Sequence, residues 1–140
     1  MAVLLDVSAI VAAADTADLN HDAAHAWFGR VDEPLLLCAL SLGEADHVLQ
    51  RELGQAAVLA LVEALTGGAI RVIAPTHEDL VRAAALLVEH AEHHFSLSDV
   101  LLVAAAGRLG VRRIATFDRR ALAVLVPRGP RGERLLVLEP

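Results

Sequence analysis

This chain has no lysine and no tyrosine, a single cysteine, and only 3% aromatic residues. A lone cysteine, Cys38, excludes an internal disulfide and fits a reducing compartment such as the cytoplasm. It lies in the apolar run Leu35–Leu40, where a buried inert thiol is expected rather than a nucleophile. No apolar run approaches the roughly 18 residues of a membrane span, so no membrane association is expected. The first residues lack a basic flank, and Asp6 interrupts their apolar run, which speaks against a secretory signal. With so few aromatics, the core must come from alanine, leucine and valine, in a chain that is 56% hydrophobic. Its 140 residues suit one domain with a real core, and neither an internal repeat nor a linker divides 1–140.

Net charge is −6, unevenly spread, and arginine is the one strongly basic residue type. From Arg108 onward eight arginines face three acids, an excess of five positive charges, so the remainder carries −11. Such an end is either solvated surface or a patch for phosphate or an acidic partner, which arginine forks bind bidentately.

Three apolar residues, Val3-Leu4-Leu5, run into Asp6, and Val7-Ser8 leads into a helix of small residues. A continuous apolar strand is expected where both faces of a parallel sheet are covered. Ligands of such sheets bind beyond the carboxyl ends of the strands, where Asp6 stands. Asp6 or Ser8 could equally be a helix N-cap. A polar stretch, Asp15–Asn20, precedes a helix from about His21 to Phe28. His21 and His25 share one face of it, most simply a solvated one. Leu35–Leu40 reads as a second buried strand. Ser41 then looks like the N-cap of a helix, with Glu44 completing a capping box. The same spacing puts Glu44 in the first turn of a helix that follows a strand.

Further helices are expected over about 44–53 and 55–65, the second stopped by Gly67-Gly68. Ala69–Ile73 reads as a third strand, and Pro75-Thr76 opens a helix to about Glu89. Glu89, His90, Glu92, His93 and His94 lack the His-Glu-x-x-His order of a zinc protease and read as a polar helix end. Ser96 or Ser98 then caps a helix that is apolar nearly all round, carries Asp99 in its first turn and ends at Gly110. Arg113–Phe117 running into Asp118 repeats the strand-plus-acid pattern. A loop over 127–132 and a last strand, Leu135–Leu138, close the chain.

Asp6, Glu44, Asp99 and Asp118 therefore share a description: each ends a strand or begins a helix at the ligand edge of an α/β sheet. Four carboxylates repel one another unless a cation sits among them. An all-oxygen set without committed His or Cys indicates Mg²⁺ or Mn²⁺, which can polarise a phosphodiester and orient an attacking water.

On Leu5-Asp6-Val7-Ser8-Ala9, Leu42-Gly43-Glu44-Ala45, Leu97–Ala104 and Ile114–Arg119, in that order, the whole chain resembles the PIN-domain ribonucleases, and within them the VapC-type toxins of type II toxin–antitoxin pairs. The resemblance implies a three-layer α/β/α fold with a central, mostly parallel sheet of about five strands. It implies a metal-dependent endoribonuclease that inhibits translation, with RNA as substrate, a VapB-type antitoxin as partner and a homodimeric state. Asp6, Glu44, Asp99 and Asp118 match the family's acids. Ser8 and Thr116 match hydroxyl positions beside the first and last of them, and these two with Arg119 and Arg120 are candidates to bind the substrate. Val7 stands where the family more often has threonine, and a further acid found near the last position has no clear counterpart. Two other readings remain: a PIN-like module that binds without cleaving, and another Mg²⁺-dependent phosphoryl hydrolase. A haloacid-dehalogenase-like phosphatase would carry a second acid at position 8, where this chain has Ser8.

Overall fold

In the computed structural model of the chain, residues 1–125 and the backbone of 136–138 are described. The order of elements is β1 (Val3–Leu5), α1 (Val7–Ala14), α2 (His21–Arg30), β2 (Leu35–Cys38), α3 (Ala39–Leu53), α4 (Gln55–Thr66), β3 (Ile70–Ile73), α5 (His77–Glu89), a 3₁₀ turn (Ala91–His93), α6 (Leu97–Leu109), β4 (Arg113–Ala115), α7 (Arg119–Leu125) and β5 (Leu136–Leu138). All strand pairings are parallel, in the order β3-β2-β1-β4-β5. The expected five-stranded sheet is thus present, and parallel throughout.

Strand alternation sorts the apolar residues into two cores. Val3, Leu5, Leu37, Ile70 and Ala115 pack with α1–α4 on one face, and Leu4, Leu36, Cys38 and Ile114 with α5–α7 on the other. Both faces being covered explains why these strands read as unbroken apolar runs. Val3, Leu4, Leu5, Leu37 and Ile114 are fully buried, each stabilising the fold by roughly 1.5–3 kcal/mol of transfer free energy. Residues Val100 to Ala106 of α6 are all buried, as a helix apolar on every side requires. It ends at Gly110, whose φ of 65° is left-handed and costs glycine little.

Winding starts at the centre. The chain goes from β1 outward through β2 to β3, then crosses back to place β4 on the other side of β1. The reversal falls between β1 and β4, and at such a switch point the loops beyond the strand ends diverge and leave a crevice. Asp6 and Asp118 lie just beyond these two neighbouring strands.

The second helix pair departs from the sequence expectation. α3 begins at Ala39, directly off β2, with Cys38 as a cap that offers no side-chain hydrogen bond. Ser41 is therefore inside the helix and buried, its Oγ 3.4 Å from Ser98 Oγ at the start of α6. The capping box with Glu44 does not form. An apolar run does not mark where strand becomes helix, and here the turn falls inside Leu35–Leu40. Genuine capping boxes open α5 (Thr76 with Asp79) and α6 (Ser96 with Asp99). The loop read over 127–132 lies outside the described residues.

An ion pair between a buried carboxylate and a solvent-facing arginine joins two helices on the second face. Asp79 is 2% exposed and accepts from Arg108 Nε at 2.9 and 3.0 Å. Burial alone would raise the Asp79 carboxyl. The Arg108 hydrogen bonds, the Thr76 contacts and the Arg108 charge outweigh it, so the pKa lies below the ordinary 3.8. Cys38 is also close to this pair. Burial first, and the Asp79 charge second, push its thiol up to about 11 against the pull of Arg108, which leaves it inert.

Candidate active site

Asp6 leaves β1 with extended backbone and heads α1 without capping it through its side chain. Its carboxylate is used otherwise. Ser8 Oγ donates to Asp6 Oδ2 at 2.7 Å and Thr116 Oγ1 donates to the same oxygen at 2.6 Å. A hydroxyl has one proton and can still accept. Ser8 Oγ accepts from the Phe117 N–H at 2.9 Å, and Thr116 Oγ1 from the Asp118 N–H at 3.0 Å. The Asp118 carbonyl, 3.1 Å from Thr116 Oγ1, competes for the same proton at longer range. The network stitches the end of β1 to the end of β4 and fixes the Asp6 side chain. Asp6 Oδ1 keeps no hydrogen bond among the described residues.

The other two aspartates follow the same scheme. Asp99 Oδ2 accepts the Ser96 N–H at 3.1 Å in the capping box, and its second oxygen has no hydrogen bond among the described residues. Asp118 Oδ1 accepts the Arg120 N–H at 3.2 Å, with Arg120 Nε at 3.5 Å, and its Oδ2 has no hydrogen bond among the described residues. Glu44 makes no hydrogen bond or ion pair among the described residues, so both of its oxygens are available. All four acids line one pocket of about 360 Å³, together with Ser8, Val48, Leu102 and Phe117. Four separate elements thus deliver one carboxylate each to the crevice at the switch point.

The acids stand around this pocket rather than touching. No three of them bring carboxylate oxygens within 4.8 Å of one another. That spacing suits a hard cation that keeps part of its water shell, as Mg²⁺ does, better than a closed protein cage. The donor set, oxygen throughout and without histidine, sulfur or lysine among the lining residues, fits such an ion.

Several residues behave differently from their sequence reading. Thr116 is fully buried and its hydroxyl is engaged by Asp6; Ser8, on the pocket wall, also donates to Asp6. Asp18 and Asn20 also line the pocket, where Asp18 Oδ1 accepts the Asn20 N–H at 2.7 Å. Asp18 adds a fifth acid that sequence reasoning placed only in a polar loop. The Asp15-x-x-Asp18 spacing hints at a turn, and nothing in it points toward the sheet. His21 is occupied structurally. Its Nδ1 lies 2.9 Å from the Ala12 carbonyl, which can only accept, so Nδ1 carries the proton.

The arginine-rich end is not one patch. Arg108 is spent on Asp79, and Arg113 on Glu33. Arg112, Arg119 and Arg120 are exposed, the last beside Asp118. Arg128, Arg131 and Arg134 lie outside the described residues.

A parallel sheet wound outward from its centre, with acids from four elements at its switch point, defines a class of acidic-pocket α/β proteins. Residues 3–125 match the PIN domain, and the chain belongs to the PIN-domain family. Ribonuclease VapC26 of Mycobacterium tuberculosis (strain ATCC 25618 / H37Rv) is 27% identical over 135 residues, 96% of this chain and 98% of that protein. Among solved structures, the Mycobacterium tuberculosis toxin VapC20, which cleaves the sarcin–ricin loop, matches with a TM-score of 0.79 at 24% identity, over 86% of this chain and 93% of that one. A toxin–antitoxin complex from Klebsiella pneumoniae matches at 0.65 and 15% identity, over 88% and 92% of the two chains. At these identities the structural likeness speaks for the fold.

Proposed function

We propose that this chain, as a single PIN domain, is a divalent-metal-dependent endoribonuclease and the toxin of a type II toxin–antitoxin pair. One observation carries the catalytic reading: three aspartates that line a common pocket are each anchored through one oxygen, and the other has no hydrogen bond among the described residues. The resemblance to Ribonuclease VapC26 over nearly the whole of both chains supports RNA as the substrate.

In this reading Asp6, Asp99 and Asp118 hold Mg²⁺ or Mn²⁺, and Glu44 orients the attacking water or holds a second ion. The bound cation supplies Lewis acidity toward the phosphodiester and the water. The chain's own contribution is positional. Ser8 and Thr116 lock Asp6, the Ser96 backbone locks Asp99, and the Arg120 backbone holds Asp118. Val48, Leu102 and Phe117 give the pocket an apolar wall that limits water. Water oxygen attacks phosphorus, the bond to the 3′-oxygen breaks, and that oxygen takes up a proton. Products therefore carry a 5′-phosphate and a 3′-hydroxyl. Purified protein should cleave RNA with Mg²⁺ or Mn²⁺ and stop in excess EDTA. Cleavage that persists in EDTA, or a 2′,3′-cyclic phosphate end, would overturn the scheme.

A VapB-type antitoxin, a homodimer and a cytoplasmic location complete the proposal. Toxin–antitoxin complexes among the structural matches support the antitoxin. No helix of the described residues is long and apolar enough to cross a membrane. For substrate grip we assign Arg119 and Arg120, which open α7 next to Asp118. Replacing both with glutamine should weaken RNA binding at every sequence tested and lower the salt dependence by about one unit of slope per lost phosphate contact. Equal affinity at low and high salt would return both residues to ordinary surface.

A further inference from the structure

Outside the acidic pocket, His90, Glu92 and His93 bring three potential ligand atoms within 4.8 Å of one another, the one such group among the described residues. The geometry points to a second cation site of different chemistry: a zinc-type site on the turn that precedes α6. Two imidazoles and a carboxylate suit a borderline divalent ion such as Zn²⁺, whereas the all-oxygen pocket suits Mg²⁺ or Mn²⁺. Tetrahedral Zn²⁺ needs its ligands about 3.3 Å apart, given metal–ligand bonds of about 2.0–2.1 Å. His93 Nε2 is already 3.3 Å from Glu92 Oε1. Glu92 is exposed and free to swing, its side chain 70% accessible.

The imidazoles are held before any ion arrives. The His93 N–H donates to the His90 carbonyl at 3.0 Å, which fixes their spacing along the 3₁₀ turn. The His93 ring stacks on Phe95 at 5.2 Å and 8°, and His90 meets the same ring edge-on at 6.0 Å. Phe95 in turn packs against the core. Backbone at His94 turns left-handed, φ 53°, a conformation uncommon outside glycine, and this reversal brings Phe95 back beneath both rings. Glu89, 4.0 Å from His90 Nε2, adds negative charge and favours a cation. Water can take the remaining position.

The location gives the site a consequence. Ser96 and Asp99 follow the turn directly, and His93 shares a cleft of about 320 Å³ with Asp99, Asp118 and Arg120. An ion bound to the histidines pins the segment that presents Asp99. The site is thereby a structural clasp beside the pocket, and it does not depend on the nuclease reading.

The test uses the full chain, stripped of metal and then kept in saturating Mg²⁺. Zn²⁺ binding is followed by calorimetry and thermal melting, and Co²⁺ serves as a coloured stand-in that reports tetrahedral nitrogen and oxygen ligands. We expect one Zn²⁺ per chain, a higher melting temperature, and affinity at least about tenfold weaker in His93→Gln and in Glu92→Gln. Asp6→Asn and His25→Gln should bind Zn²⁺ as the unaltered chain does. Glu92 is on the surface and His93 is 41% accessible, so both variants should fold, which the melting curve in Mg²⁺ alone verifies. Failure of the unaltered chain to bind Zn²⁺ overturns the site. So does undiminished affinity in both turn variants, or loss of affinity in Asp6→Asn, which would move the ion to the acidic pocket.

Discussion

Asp6→Asn should abolish RNA cleavage, by about 10³-fold or more, while the protein remains folded. The substitution keeps the shape. Its amide oxygen can still accept from Ser8 Oγ and Thr116 Oγ1, which now meet Asp6 Oδ2 at 2.7 and 2.6 Å. What changes is the open side, where an NH₂ donor replaces an acceptor oxygen and one negative charge disappears. Any cation that the remaining acids held would be bound less well, and the Lewis acidity it would supply is worth several kcal/mol, each 1.36 kcal/mol being about a decade in rate. Removing one of several like charges around the pocket relieves repulsion, so the melting temperature without metal should stay level or rise. Thr116→Val separates positioning from charge. It leaves all acids in place but frees Asp6 to rotate, so cleavage should weaken without vanishing. Full activity of purified Asp6→Asn would remove Asp6 from the reaction.

Asp79→Ala should produce the largest loss of stability, a fall in melting temperature on the order of 10 °C. Two contributions go together. Asp79 loses its place in the capping box of α5, where its carboxylate accepts the Thr76 N–H at 3.0 Å. The hydrogen bonds from Arg108 that tie α6 to α5 go with it, and a cavity is left at a site that is 2% exposed. The intact pair also gives an acid dependence. Its folded pKa is below 3.8, so the unfolded chain takes up the proton first as pH falls. The stabilising contribution is complete above the ordinary carboxyl range and is lost as pH drops below 3.8 through the folded value. Melting temperatures from neutral pH down to strong acid should therefore fall less steeply in Asp79→Ala than in the unaltered chain. Parallel curves for the two proteins would mean that the pair contributes nothing through its charge.

Local pattern carried much of this molecule. Val3-Leu4-Leu5 running into Asp6, and Ile114-Ala115 leading toward Asp118, announce strands that end in acids, because strands covered on both faces must be apolar at consecutive positions. Ser96 with Asp99 announces a helix start through a three-residue hydrogen-bonding pattern, and Val100 to Ala106 announces that the helix is buried. Such signals are short in range, and the residues that create them lie within one turn or one strand of each other. They mark Asp6, Asp99 and Asp118 without any tertiary contact, whereas the capping box that singled out Glu44 does not form.

What the sequence could not determine depends on partners far along the chain. Strand order decides that β4 lies beside β1, and only then can the Thr116 hydroxyl reach across 110 positions to clamp Asp6. The pairing of Arg108 with Asp79, 29 positions away, follows from two helices packing on the same sheet face, and it removes from the basic end a charge that composition alone would count there. Ser41 went the other way: local spacing proposed a cap, but the helix starts three residues earlier, with Cys38 as its cap, and burial beside Ser98 claims the hydroxyl. Asp18 joins the pocket because its loop folds over the strand ends. Hydrophobic alternation and capping are settled by neighbours in sequence; which polar groups satisfy one another is settled by desolvation, once packing has chosen the neighbours in space.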